Sequence, residues 1–174
     1  MIQNFSDFSE HILGKSREPA TVDTSAGNRA AVLSMLRQTR HTIDIFSREL
    51  DTPIYDNGDV VVAVRAVAVG SSRARVRILV SDTARIVAHG HRLLNLAYRL
   101  STFIEIRKVA HEHRTYNTAL FIADSTGTVV RRFADRFDAE ICFYNLKQAR
   151  ELTRTFDEMW AIAKPDPNLR AVHL

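Results

Sequence analysis

The chain has 174 residues, 45% of them hydrophobic and 25% charged, with a formal net charge of +4 and a pI near 9.6. That length suits one domain around one core, and no apolar run approaches the roughly 20 residues that a membrane helix needs. The opening MIQNFSDFSEHILGK lacks a basic stretch followed by an apolar one, and the single cysteine, Cys142, has no internal partner, so the expectation is a cytoplasmic chain without signal peptide or disulfide.

Residues 1–24 are polar and weakly patterned, and read as an N-terminal extension in which Phe5, Phe8, Ile12 and Leu13 suggest a short anchoring helix; the domain proper is expected over 25–174. From Thr24, TSAGNRAAVLSMLRQTR sets Ala30, Val32, Leu33, Leu36 and Thr39 near one helical face, with Thr24 or Ser25 as N-cap. In HTIDIFS, Ile43 and Ile45 alternate with Thr42 and Asp44 as in a half-buried strand, and Pro53 with Asp56-Asn57-Gly58 marks a loop. DVVVAVRAVAVG has the β-branched content of a strand. It lies between a capping Asp59 and the stop signal Gly70-Ser71-Ser72, though, and is long for a strand, so a buried helix is favoured.

RVRILV then reads as a strand, and one helix is expected from Ser81-Asp82 through DTARIVAHGHRLLNLAYRL, with Ile86, Leu93, Ala97 and Leu100 as its apolar stripe. FIEIRKV alternates strictly and is a strand. TALFIAD and TVVRRF form a hairpin across Ser125-Thr126-Gly127, and DAEICFY is a further strand with Cys142 as a small core residue. NLKQARELTRTFDEMWAIAK is a long terminal helix with Leu146, Leu152, Phe156, Met159 and Trp160 inward, stopped by Pro165 and Pro167. This order predicts an α/β fold, a mixed β-sheet flanked by helices on both faces.

The order helix, HTIDIFS, long helix, RVRILV, helix, FIEIRKV, hairpin, DAEICFY and a helix carrying Phe156 and Trp160 resembles one half of a phospholipase D-type fold. That superfamily carries H-x-K-x4-D on a strand, G-S-x-N after the following turn, then an acidic strand and a helix ending near F-x-x-x-W. ALFIADSTGTVV is similar to the strand, acid and turn. DAEICFYNLKQARELTRTFDEMW is similar to the acidic strand and final helix, with Glu140 at the acidic position. The resemblance covers residues 26–163. It extends to a bacterial group of such degenerate domains, some fused to acetyltransferase-like domains.

Aligning Asp124 with the motif's acid puts Asn117 at the histidine, Ala119 at the lysine and Arg131-Arg132-Phe133-Ala134 at G-S-x-N. In the family the histidine attacks phosphorus and the lysine stabilises charge on the phosphoryl oxygens. Asparagine is no comparable nucleophile and alanine supplies no charge. His111 and His113 are out of register: from His113 the other two positions are Thr115 and Leu120, from His111 they are His113 and Thr118. The resemblance therefore implies no catalytic residue of the family's kind, with Asn117, Ala119, Asp124 and Glu140 as vestiges of the motif. Because the family builds its site from two halves, a single half implies a homodimer, isologous in the ordinary case, or a partner domain.

His111, Glu112, His113 and Arg114 form a polar cluster before the strand; two apart in an extended chain, the histidines would share a side and could hold an anion. A metal would need a third ligand such as His89, His91, Asp82 or Asp124, which the sequence does not bring there, and an exposed histidine-rich loop is the favoured reading. His89 and His91, two apart on a helix, diverge around its axis. Neither a metal nor a cofactor is expected. Arg131 and Arg132 face opposite sides of the sheet. One reading is a retained anion pocket of Arg131 or Arg132 with Asn117 and His111 or His113. The favoured one is an arginine that fills the vacated pocket by pairing with Asp124, Asp135, Asp138 or Glu140, since a buried guanidinium needs such a partner. Asp124 is also a turn former with Ser125 and Gly127.

Three functions are compatible with these residues. The favoured one is a non-catalytic phospholipase D-like module for binding or assembly, of a phosphate-bearing ligand or an enzyme partner. The second, less favoured, is an electrostatic nucleic-acid binder, which would need the arginines, scattered along the sequence, to gather on one face. The third is a hydrolase with a rearranged site of His111, His113 and an acid. No membrane partner is expected.

Overall fold

In the computed structural model, which describes residues 7–170, seven strands form one sheet. They are β1 (Ala20–Val22), β2 (Thr42–Ser47), β3 (Arg75–Val80), β4 (Ile104–Lys108), β5 (Ala119–Ala123), β6 (Gly127–Arg131) and β7 (Ala139–Cys142), in the order β1-β7-β6-β5-β2-β3-β4. Strands β2, β3 and β4 run parallel, as helical crossovers require, whereas β5, β6, β7 and β1 pair antiparallel. Helices α1 (Ser25–Gln38), α2 (Thr52–Tyr55), α3 (Gly58–Gly70), α4 (Ala84–His89) and α5 (Arg92–Arg99) build one layer, and α6 (Leu146–Ile162) covers β2, β5 and β6 from the other side. The fold is thus the mixed α/β sandwich that the order of elements implies.

Strand alternation divides the core. Ile43, Ile45, Val76, Ile78 and Phe121 pack under α1 and α3, while Phe46, Leu79 and Leu120 meet Phe156 and Met159 of α6. Strand β2 is therefore buried on both faces from Ile43 to Ser47, not half-buried. Asp44 tolerates that burial because Arg77, opposite it on β3, grips its carboxylate at 2.6 and 2.9 Å.

Helix α1 starts where Thr24 Oγ1 accepts from the Gly27 amide at 3.0 Å, and α3 is a helix despite its valines. Its N-cap is Asn57, whose Oδ1 accepts from Asp59 and Val60; Asp59 lies in the first turn, where a negative charge suits the helix dipole. The helix expected over 82–100 is two. It breaks at Gly90 (φ +71), and His91 caps α5 by accepting the Leu93 amide on Nδ1. Part of the loop around Pro53 winds into α2, with the proline in its first turn, where the missing N–H costs nothing.

No helix forms over residues 7–19; Phe8 instead stacks on Phe143 at 5.9 Å, and β1 joins β7 at the sheet's edge. Phe5 lies outside the described residues. The hairpin turns on Asp124 and Ser125 (φ +48 and +50), one residue earlier than expected, and Gly127 already belongs to β6. Leu146 is exposed at the start of α6, and Ala149 takes the inward place. Among the described residues no helix is long and apolar enough to cross a membrane.

Candidate functional site

Strand β5 runs antiparallel to β2, so its start lies at the end of β2, where Phe46 pairs with Leu120. Asn117 therefore comes beside Arg48, which donates to Asn117 Oδ1 at 3.1 Å. Across the hairpin Ala119 pairs with Arg131, and directly opposed residues project to the same face. The short side chain of Ala119 leaves room there, and the guanidinium of Arg131 is buried, 3% exposed as a residue. It donates to the carboxylate of Asp51 and to the backbone oxygens of Ala134 (3.3 Å) and Arg136 (3.0 Å), and lies 5.7 Å from the Phe137 ring centroid. Asp51 is itself held by the Ser47 hydroxyl at 2.6 Å. Burial pushes the neighbouring Tyr55 phenol well above its usual range, with the Asp51 charge adding to the rise and Arg131 opposing it.

Arg131 is buried near the strand end, and the carboxylate it meets is that of Asp51, not any of the acids expected from sequence. Asp124 sits at the other end of β5, where its carboxylate accepts the amides of Arg40, His41 and Thr42, each at 2.8 Å. It is a clamp on the α1–β2 junction as well as a turn residue. Glu140 is exposed and accepts from Gln148 Nε2 at 3.0 Å. Burial, then the Glu140 charge, pushes the Cys142 thiol up to about 11. Asp51 was missed because it stands 80 residues from Arg131 in a segment with no periodic signal.

Arg132, one residue on, projects away from this site. It lines a cavity of about 710 Å³ on the α6 side of the sheet, together with Val130, Phe133, Arg136 and Asp138. The five residues named from sequence for an anion site are thus not one group. Asn117 and Arg131 share the strand-end region, and Arg132 does not reach it. His111 and His113 lie in a single 3-10 turn rather than an extended chain, with His111 Nδ1 3.4 Å from the Arg114 guanidinium. Neither is hydrogen-bonded to Asn117 among the described residues. His89 ends α4 and His91 caps α5, so they are not on one helix. Among the described residues no three His, Cys, Asp or Glu side chains are grouped to hold a metal ion.

A family model described as "Domain of unknown function (DUF7931)" matches residues 24–172. No curated protein sequence gives a significant match. Among solved structures the chain is similar to TrmBL2, described as an archaeal chromatin protein with a novel mode of DNA binding, at a TM-score of 0.62 and 14% identity, over 90% of this chain and 56% of that one. It is also similar to Nuc, a phospholipase D family member from Salmonella typhimurium (TM-score 0.57, 14% identity, 84% of this chain and 97% of that one). NucT from Helicobacter pylori gives a TM-score of 0.58 at 11% identity, over 86% and 99%. The chain spans little more than half of the chromatin protein and nearly the whole of Nuc and NucT. At these identities the likeness is one of fold: a phospholipase D-like fold.

Proposed function

The chain belongs to the DUF7931 family, and we propose that it is a phospholipase D-like module that binds a phosphate-bearing ligand and does not cleave phosphodiesters. The observation that carries this reading is the pairing of Ala119 with Arg131. Where the resemblance puts a lysine there is a methyl group, and the cation that fills the space from the next strand is already neutralised by Asp51. Where it puts a nucleophilic histidine there is the amide of Asn117, occupied by Arg48. A reaction through a covalent phosphoryl intermediate needs a nucleophile and an unspent positive charge on the phosphoryl oxygens, and Asn117 and Ala119 supply neither at the positions where the resemblance puts them. A single half on this fold is read as working in a homodimer or beside a partner domain.

The test is turnover of bis(p-nitrophenyl) phosphate by the purified chain between pH 5 and 9, without metal and with Mg²⁺, Mn²⁺ or Zn²⁺. The expected result is no rate above the uncatalysed background. Turnover that disappears in a folded His113→Ala variant would replace this reading with the rearranged histidine site. Binding to duplex DNA that weakens steeply with salt would favour nucleic-acid recognition instead.

A further inference from the structure

Helix α6 packs over β2, β5 and β6 and reaches β7 through Gln148, which leaves Glu140 of β7 exposed and Thr21 of β1 half-buried on that face. There the cross-strand row Val130, Glu140 and Thr21 forms the floor of the 710 Å³ cavity, a volume in the range of small-molecule sites. One wall is the segment between β6 and β7, which presents Arg132, Phe133 and Arg136. Phe133 is 53% exposed, and the Arg136 guanidinium lies 5.5 Å from its ring centroid. Neither Arg132 nor Arg136 has a carboxylate within ion-pair distance among the described residues. The cavity therefore combines an exposed aromatic platform with two unspent guanidinium groups. It also contains the carboxylates of Asp23, Asp138 and Glu140.

That mixture selects among anions. Guanidinium groups match a phosphate with paired donors, and an aromatic ring under a guanidinium is a stacking surface for a base. Carboxylates repel inorganic phosphate and a continuous nucleic-acid backbone, but they accept hydrogen bonds from ribose hydroxyls. The Glu140–Gln148 pair adds a carboxylate and an amide to the floor, suited to polar base edges. One ligand class has a single anionic end, a diol and a flat ring. We propose that this cavity, on the face opposite the strand-end site, binds a mononucleotide through Arg132 and Arg136 at its phosphate and Phe133 at its base. The proposal rests on the reading of the chain as a phosphate-ligand module, and it locates that module's site and names its ligand.

Calorimetric titration of the full chain with AMP and GMP tests it, with adenosine, ribose 5-phosphate, inorganic phosphate and a single-stranded dodecanucleotide as comparison probes. At least one nucleotide should bind, and its nucleoside and ribose 5-phosphate should each bind about tenfold or more weaker. Phe133→Ala and Arg132→Ala, both at the surface, should each weaken nucleotide binding about tenfold or more, and Arg132→Ala should also narrow the preference for nucleotide over nucleoside. Arg48→Ala, beside Asn117, should leave it unchanged. Nucleotide binding lost in Arg48→Ala but kept in Phe133→Ala and Arg132→Ala would overturn the proposal and leave the binding-module reading standing. So would binding of inorganic phosphate or the oligonucleotide without any mononucleotide. Failure of every phosphate-bearing probe would remove both.

Discussion

Asp51 and Arg131 hold each other in place, and removing one partner of such a buried pair costs more than the pair contributes. Asp51→Ala should lower the stability of the chain by about 3–5 kcal/mol in urea denaturation, because the Arg131 guanidinium is left desolvated with only backbone oxygens to meet it. The double variant Asp51→Leu/Arg131→Met, which removes both charges, should recover most of that loss. Asp124 is the second residue whose role is structural. Asp124→Ala should cost about 2–3 kcal/mol by freeing the amides of Arg40, His41 and Thr42. Asp124→Asn, which keeps an acceptor and tolerates φ +48, should cost less. These residues show where the sequence was legible. The hairpin that sets Ala119 opposite Arg131 was readable from the two hydrophobic runs on either side of one turn. The role of Asp51 was not readable, since an ion pair between segments 80 residues apart leaves no local pattern.

At the scale of the elements, α1 lies so close to β1 that a Cβ on Gly27 would sit 2.8 Å from Val22 Cβ. Helix propensity alone says that Gly27→Ala should stabilise by about 1 kcal/mol, but overpacking of this kind costs about 1–3 kcal/mol, so a net loss in thermal or urea unfolding is expected. The cap of α5 gives a pH dependence. The Leu93 amide donates to His91 Nδ1, so the buried ring is neutral and its Nε2–H donates to the Leu50 oxygen at 3.0 Å. Burial holds its pKa below the ordinary 6.5, against the opposing pull of Asp56. The unfolded chain thus takes up a proton that the folded chain refuses. Stability is full above pH 6.5 and is lost as the pH falls through 6.5 toward the lowered folded value. Unfolding measured between pH 7.5 and 5 should show that slope, and His91→Asn, which can still cap, should flatten it. The long periodic helices and the alternating strands were legible because their signals repeat over many residues. The break at Gly90 was not, since Ile86 and Leu93 continue one stripe across it. Nor was β1, whose alternation spans only three residues.

Over the whole molecule, the polar opening stretch is part of the packing. Phe8 is buried against Phe143 and β1 covers the outer edge of β7. Removing residues 1–23 should therefore bare the β7 edge, lower the melting temperature and promote self-association on size-exclusion chromatography, as expected of an uncovered strand. The edge pairing joins Ala20 to Ile141, so the first strand of the sheet finds its neighbour in the last. On a ribosome emitting about 5–20 residues per second, β1 would wait on the order of ten seconds for β7. Until then the native partner of its backbone does not exist. The sheet thus joins the earliest of its strands to the latest, and its outer edge is complete only when the two have met.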